Sequence, residues 1–471
     1  MSEVVVTTAA GRVRGHGTAR TTSFHGIPYA AAPMGAAGFA APRPHEPWPG
    51  IRDATRSGSM APQAPRGGFG TLDMSPYFGA AAMSDPDYLT VDVYAPVDGV
   101  GCPVMVFVHG GGFVSGATQS PLYDGTAFAR DGVVLVNVTY RLGIVGFLDV
   151  PDAPPNRGLL DVLAALDWVR ANIASFGGDP DNVTLFGQSA GATLVGAILA
   201  MPDTARVVRR SIMQSGNGLG AFSSEQAARV THRAATLLGV LPTAAEFAGV
   251  PVEELVGVVP KLAGLDLRTE TRFDPLLGLS ALGVVLDVQP AESVGNATAA
   301  DIPLLLGTNA HEGNLYLVPG GDFVDSTEQD ALTVAAKAHA DPAAVVQEYR
   351  ARRPEAGWGS VRSAILGDAL FGIGTRRLAD AHASRGSAST HRYEFDWCST
   401  ALGGLLGAAH TVELPFVFDR LGVPALRGPR GLLGDVDPPA RLADEMHGAW
   451  VGYARTGDPG WEPSPNVHRF A

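Results

Sequence analysis

The stretch Val183–Gly191, VTLFGQSAG, drives four apolar or β-branched residues into a serine with a glycine two places away on either side. Val183 to Phe186 read as a short buried strand, with GGDPDN before it as turn punctuation. After Ser189, AGATLVGAILAM is small, apolar and long enough for a helix packed on a sheet, and Pro202 stops it. Passing from strand to helix at one residue forces that serine into a strained conformation. Glycines at 187 and 191 let the two elements approach closely. The hydroxyl then stands clear at the strand's C-terminal end, with the helix N-terminus behind it. Taken alone, the motif is equally a plain Gly-Ser turn, so the rest of the chain decides.

Strand-like runs EVVVTT, TSFHGIPYA, LTVDVYAP, CPVMVFVH and VVLVNVTY fill the N-terminal third; VTLF, RSIMQSG and IPLLLGTN follow, with helical stretches between them. This alternation predicts an α/β protein with a mostly parallel central sheet and helices on both faces. In the segment from Arg157 to Gly178, Leu159, Leu163, Leu166, Val169 and Ile173 share one helical face. Residues 325–385 read as a helical insertion, THRYEFDW as one more strand, and RLADEMHGAWVGYARTGDP as a closing helix. The stretch SMAPQAPRGGFGTLDMSPYFGAAAMSDP reads as a long ordered surface loop. Nothing repeats at a fixed period and no low-complexity linker divides the chain, so residues 1–471 read as a single domain.

Composition excludes several classes. Hydrophobic residues at 46%, with 59 glycines and 35 prolines, suit a globular protein with many tight loops. The chain has no uninterrupted apolar run long enough to span a bilayer, and its start lacks a basic segment leading into an apolar core. A net charge of −13 argues against nucleic acid and anionic membrane surfaces as partners. Cys102 and Cys398 read as two buried free thiols, and no metal-type spacing of ligands exists. The expectation is a cytoplasmic monomer, with a weak dimer as the alternative, that uses no cofactor and no metal.

A serine hydroxyl needs a base to take its proton, a group to hold the base, and donors for the developing oxyanion. VMVFVHGGGFVSG ends a strand in His109-Gly-Gly-Gly-Phe113, where consecutive glycines let backbone N–H groups converge on one oxygen. A phosphate loop is the rival reading, but no Gly-Lys-Ser/Thr follows. Glu312 lies just past the strand in DIPLLLGTNAHEG; by itself it is an ordinary loop carboxylate. His410 sits in a glycine-rich loop, GGLLGAAHTVELPFVF, whereas His391 and His447 fall inside a strand and a helix and suit structural roles. The order Ser189, Glu312, His410 matches that of the α/β-hydrolase fold.

With FHGIPYAAAP, HGGGF, TYRLGIVGFL, the run from Asn156 to Gly191, MQSG, GTNAHEG, HTVELPFVF and YARTGDP on the page, the chain resembles the type B carboxylesterases over nearly its whole length. This family includes bacterial para-nitrobenzyl esterases and cholinesterases. The resemblance implies Ser189 as nucleophile, His410 as base, Glu312 as acid, and oxyanion donors at Gly111, Gly112 and Ala190. It also implies a buried pair, Ser215 and Glu413, beside the histidine, and an internal ion pair between Arg141 and Asp161. Where the family usually has Ser-Glu-Asp-Cys-Leu this chain has DPDYL, so Pro86 and Tyr88 replace the glutamate and the cysteine, and Gly38 stands where the family has an arginine. A usual salt bridge and a disulfide of secreted members are therefore both missing, which leaves the N-terminal loop arrangement open.

The reading is a serine carboxylic-ester hydrolase working through an acyl-enzyme on a small-molecule ester. Alternatives are carbamates, thioesters or acyl transfer through the same three residues, and, more distantly, a non-catalytic binding protein on the same fold. Phe113, Leu219, Phe69, Phe78, Phe273 and Phe371 are the candidate pocket residues. None is cationic, so neutral aryl or short-to-medium acyl esters are expected to be preferred, and a monoacid ester to be cut slowly.

Overall fold

Alternate side chains of the central strands enter opposite cores. Val104, Val106 and Val108 join one cluster, and Met105 and Phe107 join the other. A strand buried on both faces requires this two-residue period. The computed structural model describes residues 2–79, 85–202, 204–296 and 298–471. Its main sheet has 12 strands. They are β1 (Ser2–Thr8), β2 (Gly11–Gly17), β3 (Thr21–Pro28), β4 (Ile51–Asp53), β5 (Thr90–Pro96) and β6 (Cys102–Val108), then β7 (Val134–Val138), β8 (Gly178–Gln188), β9 (Arg210–Gln214), β10 (Leu304–Asn309), β11 (Thr390–Phe395) and β12 (Val467–Phe470). In space they run β1-β2-β3-β5-β7-β6-β8-β9-β10-β11-β12, with β4 beside β2. From β7 to β12 every neighbouring pair is parallel, while β1, β2, β3 and β5 form an antiparallel extension.

One face is covered by the helices Arg157–Asn172 and Ala190–Leu199, through Val162, Leu166, Val169, Leu194 and Ile198. The other is covered by the helix Ala440–Thr456, through Met446, Trp450 and Tyr453. The helical insertion has a small core of its own, built from Ala331, Val346, Val361, Ile365 and Leu370. It comprises Glu328–Ala338, Pro342–Ala351, Trp358–Gly367 and Ile373–Ala383, with a π-helical turn at Asp368–Gly372.

Several local expectations shift. GGDPDN is no break before the strand: β8 begins at Gly178 and bulges, its register against β6 shifting between Gly178 and Val183. β2 was not legible, because GRVRGHG has no β-branched run and acquires its hydrogen bonds by pairing with β1, β3 and β4, which lie elsewhere in the chain. Val162 and Ala165 are fully buried in their helix while Leu163 is only half-buried, so the buried stripe is rotated from the expected one. Cys102 is half-buried and Cys398 is exposed, correcting the expectation of two buried thiols; both are free. In the long loop, Gly68–Phe69 pairs with Leu72–Asp73 and Ser75–Phe78 makes one helical turn; residues 80–84 lie outside the described residues.

Arg141 and Asp161 are fully buried and joined by two side-chain bonds, Nε to Oδ2 at 2.8 Å and Nη2 to Oδ1 at 2.7 Å. Nη1 of Arg141 also donates to the carbonyls of Gly38 and Ala40, at 2.8 and 2.7 Å. The N-terminal loop that carries Gly38 is thus tied down by the central ion pair. Arg141→Met leaves Asp161 buried without its cation. The expected cost is about 3–5 kcal/mol, read as a lower urea midpoint; an unchanged midpoint counts against this role.

Candidate active site

Ser189 sits between β8 and the helix Ala190–Leu199 with φ 57° and ψ −123°, a conformation strained for any residue with a Cβ. The flanking glycines are sterically required: a Cβ on Gly191 would lie 2.0 Å from the Val108 carbonyl oxygen, and one on Gly187 would lie 2.6 Å from the Gly191 carbonyl carbon. Ser215 follows β9, Glu312 lies three residues past β10, and His410 lies in the connection after β11. Adjacent parallel strands therefore deliver all four to one edge of the sheet, where open α/β sheets bind ligands. Phe113, Ser189, Ser215 and Thr411 are all non-glycine residues with positive φ.

His410 Nδ1 meets Glu312 Oε2 at 2.6 Å, with both side chains buried. The other oxygen, Glu312 Oε1, accepts from the Ser215 hydroxyl at 2.5 Å and from the Asn309 N–H at 2.8 Å. With Nδ1–H donated to the carboxylate, Nε2 is left as an acceptor. The side-chain amide of Gln188 lies 3.3 Å from Nε2, and Gln188 Oε1 accepts from Tyr77 Oη at 3.1 Å. Phe371, in the π-helical turn, stacks on the imidazole with centroids 4.3 Å apart and planes 9° from parallel.

Ser215 and Glu413 are both fully buried, but the Ser215 hydroxyl goes to Glu312. Glu413 instead accepts from the Asn309 side-chain amide at 2.7 Å and from that of Gln214 at 3.4 Å. Burial, reinforced by the charge of Glu312, pushes the Glu413 carboxyl up to about 7; His410 and the Asn309 amide pull the other way. His109 is pushed down to about 4 by burial and stacks on Tyr140 at 4.5 Å, so it underlies the glycine loop as a neutral ring.

Gly111, Gly112 and Phe113 turn with φ of 117°, 64° and 66°. Among the described residues, no protein acceptor takes the N–H groups of Gly111, Gly112 or Ala190, and all three residues line the same cleft as Ser189 and His410. That cleft encloses about 170 Å³. Of the residues proposed from sequence, Phe69, Phe78, Phe113 and Phe371 line it. Leu219 and Phe273 do not: Leu219 packs against the main core, and Phe273 is 38% exposed. The sequence reading missed Tyr77, Tyr316, Asn217 and, above all, Arg66. No signal marked Arg66, since it belongs to a loop whose path is decided by contacts rather than by period. Among the described residues no group of His, Cys, Asp and Glu could hold a metal, and no helix is long and apolar enough to cross a membrane.

The chain belongs to the carboxylesterase family, whose model matches residues 2–469, and it is a carboxylic ester hydrolase. It is 34% identical to the para-nitrobenzyl esterase of Bacillus subtilis (strain 168), over 98% of this chain and 92% of that protein. It is 33% identical to the phenmedipham hydrolase of Pseudarthrobacter oxydans, over 94% of this chain and 88% of that one. The crystal structure of a carboxylesterase from Geobacillus stearothermophilus superposes with a TM-score of 0.83 at 34% identity, covering 98% of this chain and 93% of that chain. These solved relatives share the α/β-hydrolase fold.

The raised carboxyl of Glu413 has a thermodynamic consequence. Between its ordinary value of 4.5 and about 7 the folded chain keeps a proton that the unfolded chain has lost, so stability falls as pH rises through that window. Glu413→Gln is expected to remove a component on the order of 3 kcal/mol from that decline. Urea midpoints of both proteins across the window test this, and parallel pH profiles would contradict it.

Proposed function

We propose that Ser189 is the nucleophile of a two-step ester hydrolysis, with His410 as general base and acid and Glu312 as its orienting carboxylate. The observation that carries this is the strained Ser189, held in one cleft with the Glu312-bound imidazole and three unclaimed backbone N–H groups. In the first step the Ser189 hydroxyl gives its proton to His410 Nε2 as Oγ bonds to the ester carbon. The carbonyl oxygen takes the negative charge and accepts from Gly111, Gly112 and Ala190. Collapse breaks the bond to the alcohol oxygen, which receives the proton from His410 and leaves. Water then repeats the sequence, splitting the acyl-enzyme into free Ser189 and a carboxylic acid. The hydroxyl's approach to Nε2, where the Gln188 amide now lies, is of the kind that tightens when substrate binds.

An apolar, ring-lined cleft of about 170 Å³ supports aryl and short-to-medium acyl esters as substrates. Two free thiols support a reducing, cytoplasmic compartment. Ser189→Ala is expected to fold normally and lose roughly 10³–10⁶ in kcat, and a phosphonate probe should attach to Ser189 alone. Label on another serine, or most of the activity surviving in the variant, overturns the assignment. Glu312→Gln is expected to lower kcat by about 10²–10⁴, because a neutral amide supports the imidazolium poorly. Both are measured on 4-nitrophenyl esters, alongside carbamates, thioesters and an alcohol acceptor to rank the alternatives.

A further inference from the structure

The cleft has a cation at its mouth that the catalytic chemistry does not use. The Arg66 guanidinium lies 4.2 Å from the Phe69 ring centroid and 5.0 Å from that of Phe78, the two rings being stacked on one another at 6.5 Å. Its one hydrogen bond among the described residues is long, from Nη1 to the Ser115 hydroxyl at 3.5 Å. Among the described residues no carboxylate pairs with it, whereas Arg52, Arg130, Arg141, Arg376 and Arg469 each hold an acid. Five N–H donors in a planar fork suit a carboxylate, and the flanking rings hold that fork in place without neutralising it. The surrounding rings lower its pKa by desolvation, yet an arginine stays protonated at any pH at which the enzyme works. Arg66 also borders a second cavity of about 230 Å³ that shares Val114, Leu279 and Ser280 with the cleft, so it stands where a substrate longer than the cleft would pass.

We infer that Arg66 adapts this cleft to esters carrying a carboxylate, its guanidinium binding the anion at the mouth while Ser189 attacks the ester carbonyl. This rests on the reading of Ser189 given above. It reverses the expectation drawn from the phenylalanines alone: a diester is carried past its monoacid ester to the diacid. The protein's net charge of −13 opposes anions only at long range, where salt screens it.

The test compares matched substrates differing by one carboxylate. 4-Nitrophenyl pentanoate is set against mono-4-nitrophenyl glutarate, and phenyl butanoate against 4-carboxyphenyl butanoate, so that the charge falls on the acyl half in one pair and the alcohol half in the other. The readout is the charged-to-neutral ratio of kcat/KM. For at least one pair, Arg66→Gln is expected to lower that ratio by about tenfold or more, and Arg66→Glu further. Arg66→Lys is expected to retain most of it, and about 1 M salt to erode it in the native enzyme. Ratios unmoved by Arg66→Gln in both pairs, or equal losses on charged and neutral esters, overturn the inference. An enzyme that cleaves neither neutral ester, or whose activity survives Ser189→Ala, overturns instead the reading of the site beneath it.

Discussion

The backbone crowding around Ser189 is the constraint on which the site depends. The helix that follows must start directly over the end of β6, close enough that only hydrogen fits between Gly191 and the Val108 carbonyl. This contact fixes where the Ala190 N–H points relative to the Gly111–Gly112 loop, because that loop continues from the same strand. The strain at Ser189 is held by the parallel pairing of β8 with β6 and β9 on either side. Its own N–H is tied to the Gln214 carbonyl at 2.9 Å. The geometry of Ser189 is therefore a property of three strands and a helix.

Burial assigns the charges around that serine. Glu312 is satisfied at both oxygens, by His410 on one side and by Ser215 and the Asn309 N–H on the other. A carboxylate with its lone pairs occupied can carry charge in a dry site and support an imidazolium beside it. Glu413, close by, has fewer donors and is pushed toward its neutral form. The neutral preference of Glu413 keeps a second negative charge from competing for the histidine.

Phe371 and Arg66 illustrate two kinds of blindness in a sequence. Phe371 reads as a candidate pocket residue, but only the π-helical turn at Asp368–Gly372 turns its ring flat onto His410. Arg66 reads as a solvated loop residue, and only the folding of its loop sets the guanidinium against Phe69 and Phe78 at the cleft mouth. Leu219 and Phe273, equally plausible as residues, end elsewhere.

By itself the sequence determined the strand-to-helix turn at Ser189, the glycine turn at Gly110–Gly112, the order of Ser189, Glu312 and His410 past successive strands, and the alternation of strands and helices. Each is a local demand: a positive φ that glycine meets cheaply, a two-residue or 3.6-residue period, or a polar residue placed just past an apolar strand. The tertiary structure alone decided that Ser215 serves Glu312, that Gln188 lies at His410 Nε2, that the antiparallel edge acquires β2, and that a cation faces the cleft. Those outcomes depend on side chains far apart in the chain reaching one volume, and no local period encodes the meeting of residues 66, 189, 312 and 410.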